Sequence, residues 1–157
     1  MKKTSGTLEN LSGRGLRIGI VVSRFNSEVT KKLLDGATRT LLKKGVSRRK
    51  LFVVWVPGAF EIPMALQWMG RKKKVDALMA LGAVIRGETP HFDYVAAEAA
   101  RGTMEMALRD RIPVAFGILT TDTAKQAMDR AGGRHGHKGV EAALVAIEMA
   151  RLVKYGA

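Results

Sequence analysis

The chain contains no cysteine among its 157 residues. That excludes a disulfide framework, a thiolate nucleophile and any Cys-based metal site. A reducing, cytoplasmic setting suits such a chain and is the expectation. Long apolar runs are also missing. The longest, Ala77 to Ile85, falls well short of the roughly 20 residues that cross a bilayer. The opening MKKTSGTLEN has two lysines but no apolar stretch behind them, so no signal peptide and no membrane association are expected. Acidic residues are scarce. Fourteen Asp and Glu stand against 27 Lys and Arg, giving a net charge of +13 and a pI near 10.5.

A balance this basic suits nucleic acid, acidic membranes or anionic substrates. The densest clusters are Lys43-Lys44, Arg48-Arg49-Lys50 and Arg71 to Lys74. They fall where helices are expected to end, and cations there complement the helix dipole. They also lack the interleaved aromatics on which bases stack. Nucleic-acid binding is therefore not expected as the primary role.

At this length one domain spanning 1–157 is expected, with residues 1–12 as a flexible or edge-strand arm. Such a domain buries roughly two-thirds of its unfolded surface. Four apolar, mostly β-branched runs recur: Leu16 to Ser23, Leu51 to Pro57, Asp76 to Ile85 and Pro113 to Thr120. None alternates polar with apolar, so each reads as a strand covered on both faces. Helical patterns lie between and after them. Val29, Leu33, Ala37 and Leu41 form one stripe, with Asn26 or Ser27 as N-cap. Ile62 to Met69 gives a shorter helix, and Phe92, Val95, Ala96, Ala99, Thr103 and Met106 line a longer one. Asp122 or Thr121 is placed to cap a short helix ending near Gly132, and Val140, Ala143, Leu144 and Ile147 mark the last.

Strands alternating with helices predict a three-layer α/β/α sandwich around a four-stranded parallel, flavodoxin-like sheet. The segment before Leu16 is available as an added edge strand on a neighbouring subunit. In such sheets ligands bind beyond the carboxyl ends of the strands. Here those ends are Arg24-Phe25-Asn26, Gly58-Ala59-Phe60-Glu61, Ile85 to His91, and Thr120-Thr121.

At these exits Gly87-Glu88-Thr89 offers backbone N–H groups near a helix start, suited to an anion, or equally a tight turn with Thr89 as cap. Arg86, Arg130, Arg134 and Lys138 are candidates to add charge-assisted hydrogen bonds. Histidine is a common proton shuttle, and His91, one of three in the chain, stands at a strand exit where it can serve as one. Phe25 and Phe60 can flank a planar ring, though each taken alone reads as a core residue. Glu61 can bind hydroxyls or amines, or simply favour the positive end of its helix. His135-x-His137 lacks a third ligand nearby, so no functional metal is expected. No P-loop, nucleophile elbow or dinucleotide fingerprint is present.

Several segments occur together and in order: "SRFN" at 23–26, "VPGAFEIP" at 56–63, "GAVIRGETPHFDYVAAEAARG" at 82–102, "PVAFGILTTDTAKQAMDRAGG" at 113–133 and "HKGVEAALVAIEMARL" at 137–152. With them the chain resembles the lumazine synthases over nearly its whole length. The resemblance implies condensation of 5-amino-6-(D-ribitylamino)uracil with 3,4-dihydroxy-2-butanone 4-phosphate, without cofactor or metal. The product is 6,7-dimethyl-8-ribityllumazine, in the penultimate step of riboflavin biosynthesis. It also implies that Phe25 stacks on the pyrimidine, and that Ala59, Phe60, Glu61, Ala83, Val84 and Ile85 contact the ribitylaminouracil. Glu88, Thr89 and Arg130 match phosphate-binding positions, with Lys138 near them, and His91 matches the proton-transfer residue. Phe116 matches an aromatic supplied by the adjacent subunit, which puts the site at an interface.

The family forms pentamers or sixty-subunit icosahedral shells. The short Gly132–Gly136 turn matches the shell formers. Three departures stand out: Ala83 where many relatives carry a hydroxyl, His137 in place of an asparagine, and a net charge more basic than the family leads one to expect. A catalytically silent cage that packages cargo and a flavodoxin-like signalling or flavin-binding module are the competing readings.

Overall fold

A computed structural model describes residues 10–156. Four strands form one parallel sheet: β1 (Ile18–Ser23), β2 (Leu51–Val56), β3 (Ala77–Ile85) and β4 (Val114–Thr121), in spatial order β2-β1-β3-β4. Five helices complete the layers: α1 (Ser27–Lys43), α2 (Ile62–Lys72), α3 (His91–Asp110), α4 (Ala124–Asp129) and α5 (Lys138–Tyr155). This is the expected three-layer, flavodoxin-like sandwich. Residues 1–9 of the expected arm lie outside the described residues. Within 10–12, Leu11 is buried in the chain's own core, and just after it Gly13 donates its N–H to the Lys44 carbonyl.

The central strands β1 and β3 are buried on both faces because nearly every position in them is apolar, while the edge strands β2 and β4 are partly exposed. In β1, Ile18, Ile20 and Val22 face the layer of α1 and α5, while Val21 faces α2 and α3. In β3, Met79, Leu81 and Ala83 take the first side and Leu78, Ala80 and Val84 the second. The α1 stripe Val29-Leu33-Ala37-Leu41 is buried as its spacing predicts. Truncating fully buried Leu33 to Ala costs about 2–5 kcal/mol. Two glycines set how closely α1 and α5 approach. A Cβ on Gly139 would lie 2.1 Å from the Leu33 carbonyl oxygen, and one on Gly36 would lie 2.2 Å from the His137 ring.

Three local details differ from the sequence expectation. Asn26 occupies the N-cap position of α1, yet its side chain caps nothing, and the residue adopts a left-handed conformation with φ 58°. Thr123, not Asp122 or Thr121, caps α4 by accepting the Gln126 N–H. Asp122 is instead held by Arg86, and the Thr121 hydroxyl donates to the Thr123 carbonyl. The glycine-rich run after α4 is a short antiparallel hairpin of β5 (Ala131–Gly133) and β6 (Gly136–His137). Among the described residues no helix is long and apolar enough to cross a membrane.

Candidate active site

The parallel register carries three strand exits to one place. Beyond β1, Arg24 and Phe25 donate their N–H groups to the carbonyls of Val56 and Pro57, at 2.8 and 3.0 Å. That ladder extends the β1–β2 pairing past the strand and sets Phe25 beside the β2 exit. On the other side Asn26 donates its amide N–H to the Ala83 carbonyl at 2.8 Å, fixing the same loop to β3. This cross-link explains why Asn26 does not cap its helix. Its one amide holds two strand exits together.

After β2, Glu61 Oε2 accepts the Gly58 N–H at 2.9 Å and closes a single 3₁₀ turn over Ala59–Glu61. Pro63 follows in the first turn of α2, where a missing N–H is harmless. The turn presents Phe60 outward. After β3 the chain runs through Arg86–Pro90 into α3, whose N-cap is Pro90 without a side-chain cap. Thr89 therefore does not close that helix. Among the described residues the N–H groups of Gly87, Glu88 and Thr89 find no acceptor.

These exits enclose a cavity of about 670 Å³. Phe25, Ala59, Phe60, Glu61, Ala83, Val84, Ile85, Thr89 and His91 line it, all expected from the sequence. Its wall is mostly apolar, with His91, Thr89 and Glu61 as the polar points, the usual composition of a small-molecule site. Phe25 is 73% exposed and Phe60 57%. The core role that each phenylalanine suggests alone is overturned, because the backbone ladder and the 3₁₀ turn aim both rings out of the core. Fixed, exposed rings over an apolar floor are what a planar heterocycle needs in order to stack.

Other expected residues lie elsewhere in the single chain. Glu88, Phe116, Arg130 and Lys138 do not line the cavity. Phe116 sits half exposed on β4, at the free edge of the sheet. Arg130 ends α4 and donates to the Gln126 carbonyl, while Lys138 opens α5 and pairs with Glu141. Arg86, a candidate anion ligand, is already engaged. It reaches Asp122 at 3.0 Å and Asp93 at 3.3 Å and lies over the Phe92 ring. The hydrogen bond to Asp122, then the one to Asp93, raises its pKa further. Its role here is to brace the β3–α3 loop against the β4 exit.

His135 and His137 do not act as a pair. His135 is exposed, whereas His137 turns inward against Gly36 and Gly132. Burial, followed by the nearby Arg39 charge, lowers the His137 pKa. No group of three His, Asp or Glu side chains forms a metal set among the described residues.

Tyr94 was missed by the sequence reading, as were the lining roles of Phe92, Val95 and Pro57. A signal for Tyr94 was present: it stands three residues after His91, on the same face of α3. The family model described as 6,7-dimethyl-8-ribityllumazine synthase matches residues 15–154, from just before β1 to the last turn of α5. On that match the chain belongs to the lumazine synthase family, transferase-type enzymes of riboflavin biosynthesis.

Proposed function

We propose that the cavity condenses 5-amino-6-(D-ribitylamino)uracil with 3,4-dihydroxy-2-butanone 4-phosphate to give 6,7-dimethyl-8-ribityllumazine. The carrying observation is that Phe25, Phe60, the Ala83–Ile85 edge of β3 and His91 line one pocket. The pyrimidine stacks on Phe25, with the Ala59–Glu61 turn and the carboxyl end of β3 at Ala83–Ile85 lying along its edge. Glu61 has its Oε1 left to accept from the ribityl chain, since Oε2 closes the turn. The phosphate lies against the unpaired N–H groups of the Gly87–Thr89 loop, with Glu88, Arg130 and Lys138 contributing around it.

The chemistry needs placement and proton transfer rather than a strong nucleophile. The uracil amine attacks the ketone carbon, and the carbinolamine loses water to form an imine. His91 carries the amine proton to the departing oxygen. Loss of the proton from the hydroxyl-bearing carbon next to the imine then expels phosphate with its bonding electron pair, stabilised by the loop amides and Arg130, and the resulting enol takes up a proton at its terminal carbon to become the ketone on which the ring closes. The second amine closes the ring, and a further water departs. No cofactor or metal enters this scheme.

Because Phe116, Arg130 and Lys138 stand outside the single-chain pocket, the reading assigns Phe116 to a site shared with a neighbouring subunit. Exposed Met64 and Trp68 on α2 and Met104 and Leu108 on α3 support association. The assembly proposed is a homopentamer, built further into a sixty-subunit icosahedral shell. Light scattering tests the shell, and a pentamer mass in every buffer would end that part. Mixing the two substrates and following lumazine fluorescence tests the reaction. No product at any substrate concentration would overturn it.

A further inference from the structure

Five segments far apart in sequence carry the charge excess, and the fold collects them at one end. Arg14–Arg17 enters β1, Lys43–Lys50 joins α1 to β2, and Arg71–Asp76 joins α2 to β3. Arg109–Arg111 leads into β4, and Arg151–Lys154 ends α5. Since all four strands run parallel, every one of these junctions falls at the amino end of the sheet, opposite the pocket. Contacts join them into one surface. Lys50 donates to the Gly15 carbonyl, Arg17 and Lys73 flank the Phe52 ring at 5.4 and 5.5 Å, Lys154 meets Asp76 at 3.0 Å, and Arg71 meets Asp110 at 3.6 Å.

The five segments hold fifteen of the 27 Lys and Arg but only two of the 14 Asp and Glu. Their excess equals the whole net charge of +13, so the rest of the sequence is balanced. Complementing helix dipoles accounts for about half of them: Lys43, Arg71, Lys72, Arg109 and Lys154 occupy last turns, and Lys44, Lys73 and Arg111 are C-caps. Arg48 to Lys50 form their own 3₁₀ turn instead of ending a helix. Arg48 and Arg49 are exposed and have no acidic partner among the described residues. A net positive charge on this scale, gathered at one end of the sheet, points to a polyanion.

Its dimensions favour nucleic acid. Four strands and a helix layer on each side make an end face about 30 Å across. A duplex of that length presents on the order of 18 phosphates, a continuous charge that few acidic protein surfaces match. Eight of the fifteen cations are arginines, whose planar fork suits phosphate oxygens. We propose that this basic end of the sheet docks the sugar–phosphate backbone of double-stranded nucleic acid without reading its sequence.

The test uses the full-length protein and a fluorescein-labelled 30-base-pair DNA duplex of mixed sequence, followed by polarisation. Engagement of about four phosphates gives a log–log salt slope near −3.6, hence roughly a 150-fold loss of affinity between 50 and 200 mM KCl. R48E/R49E and, independently, K72E/K74E should each weaken binding at least about tenfold and flatten that slope. K31E/K32E changes charge equally on the pocket-side half of α1 and should stay within about threefold of the parent. Lumazine formation by the R48E/R49E protein reports that it has folded. No binding at 50 mM KCl, or equal losses in all three variants, would overturn the proposal. Polyglutamate displacing the duplex at equal charge concentration would also overturn it, in favour of an acidic polypeptide.

Discussion

The exits of β1, β2 and β3 and the segment following β4 are built differently. The first three are bound to one another by the Arg24 and Phe25 ladder, the Asn26 amide and the Glu61 turn. They complete a cavity wall inside one chain. The β4 side supplies Phe116, Arg130 and Lys138, none of which reaches that wall. The cavity wall is thus held by intrachain hydrogen bonds, while on the proposed reading the β4-side residues join it only through assembly or substrate. The contrast teaches which losses should act within a subunit and which should act between subunits.

The largest effect is expected at His91. His91→Ala should lower kcat by about 10²–10⁴-fold, with substrate affinity changed little, because proton transfer is lost while the aromatic platform stays. Steady-state kinetics would separate the two parameters, and an unchanged kcat would remove His91 from the chemistry. On the other half, Arg130→Ala should raise KM for the phosphorylated substrate by about 10–100-fold, as the loss of a charge-assisted contact does. An unchanged KM would mean that Arg130 stays outside the site even in the assembly.

A mixing experiment sharpens the comparison. Phe116→Ala should cost about tenfold in kcat/KM through lost aromatic contact. Co-assembling Phe116→Ala with His91→Ala subunits should restore part of the parent activity, since some interfaces then pair an intact half with an intact half. Strictly additive loss would place both residues in one chain's site. Asn26→Ala removes the tie to Ala83 and should cost about 1 kcal/mol in stability by chemical denaturation, with KM for the uracil rising a few-fold.

The smallest effect concerns pH. The lowered pKa of His137 means that below about 6.5, its ordinary value, the unfolded chain binds the proton more readily than the folded one. Stability should therefore decline as pH falls from 6.5 toward the folded value and level off beneath it. In His137→Asn the same denaturation series should lose that component. Arg39 and Lys32 add to the penalty, and Asp35 opposes it.

Much of this was legible in the sequence because strands buried on both faces read as apolar runs that do not alternate with polar residues. The four strands begin and end within two residues of their patterns. What escaped depended on tertiary contacts. Asn26 looks like a cap until Ala83 is seen beside it. Phe25 and Phe60 look like core until the backbone ladder turns them outward. The hairpin at 131–137 looks like a loop because its glycines carry no periodicity. The three basic clusters were visible separately, and only the parallel order of the strands shows that they meet.

That same order separates the two ends of each strand by six to nine residues, or about 20–30 Å. At physiological ionic strength the Debye length is about 8 Å. The cations at one mouth of the sheet are therefore electrostatically silent at the other, and the phosphorylated substrate proposed for the pocket would feel only its local amides and side chains. Near 0.01 M salt the screening distance grows to about 30 Å. The far charge then begins to draw anions toward the whole molecule, and capture of the proposed phosphorylated substrate should quicken while the proton transfer proposed for His91 is unchanged.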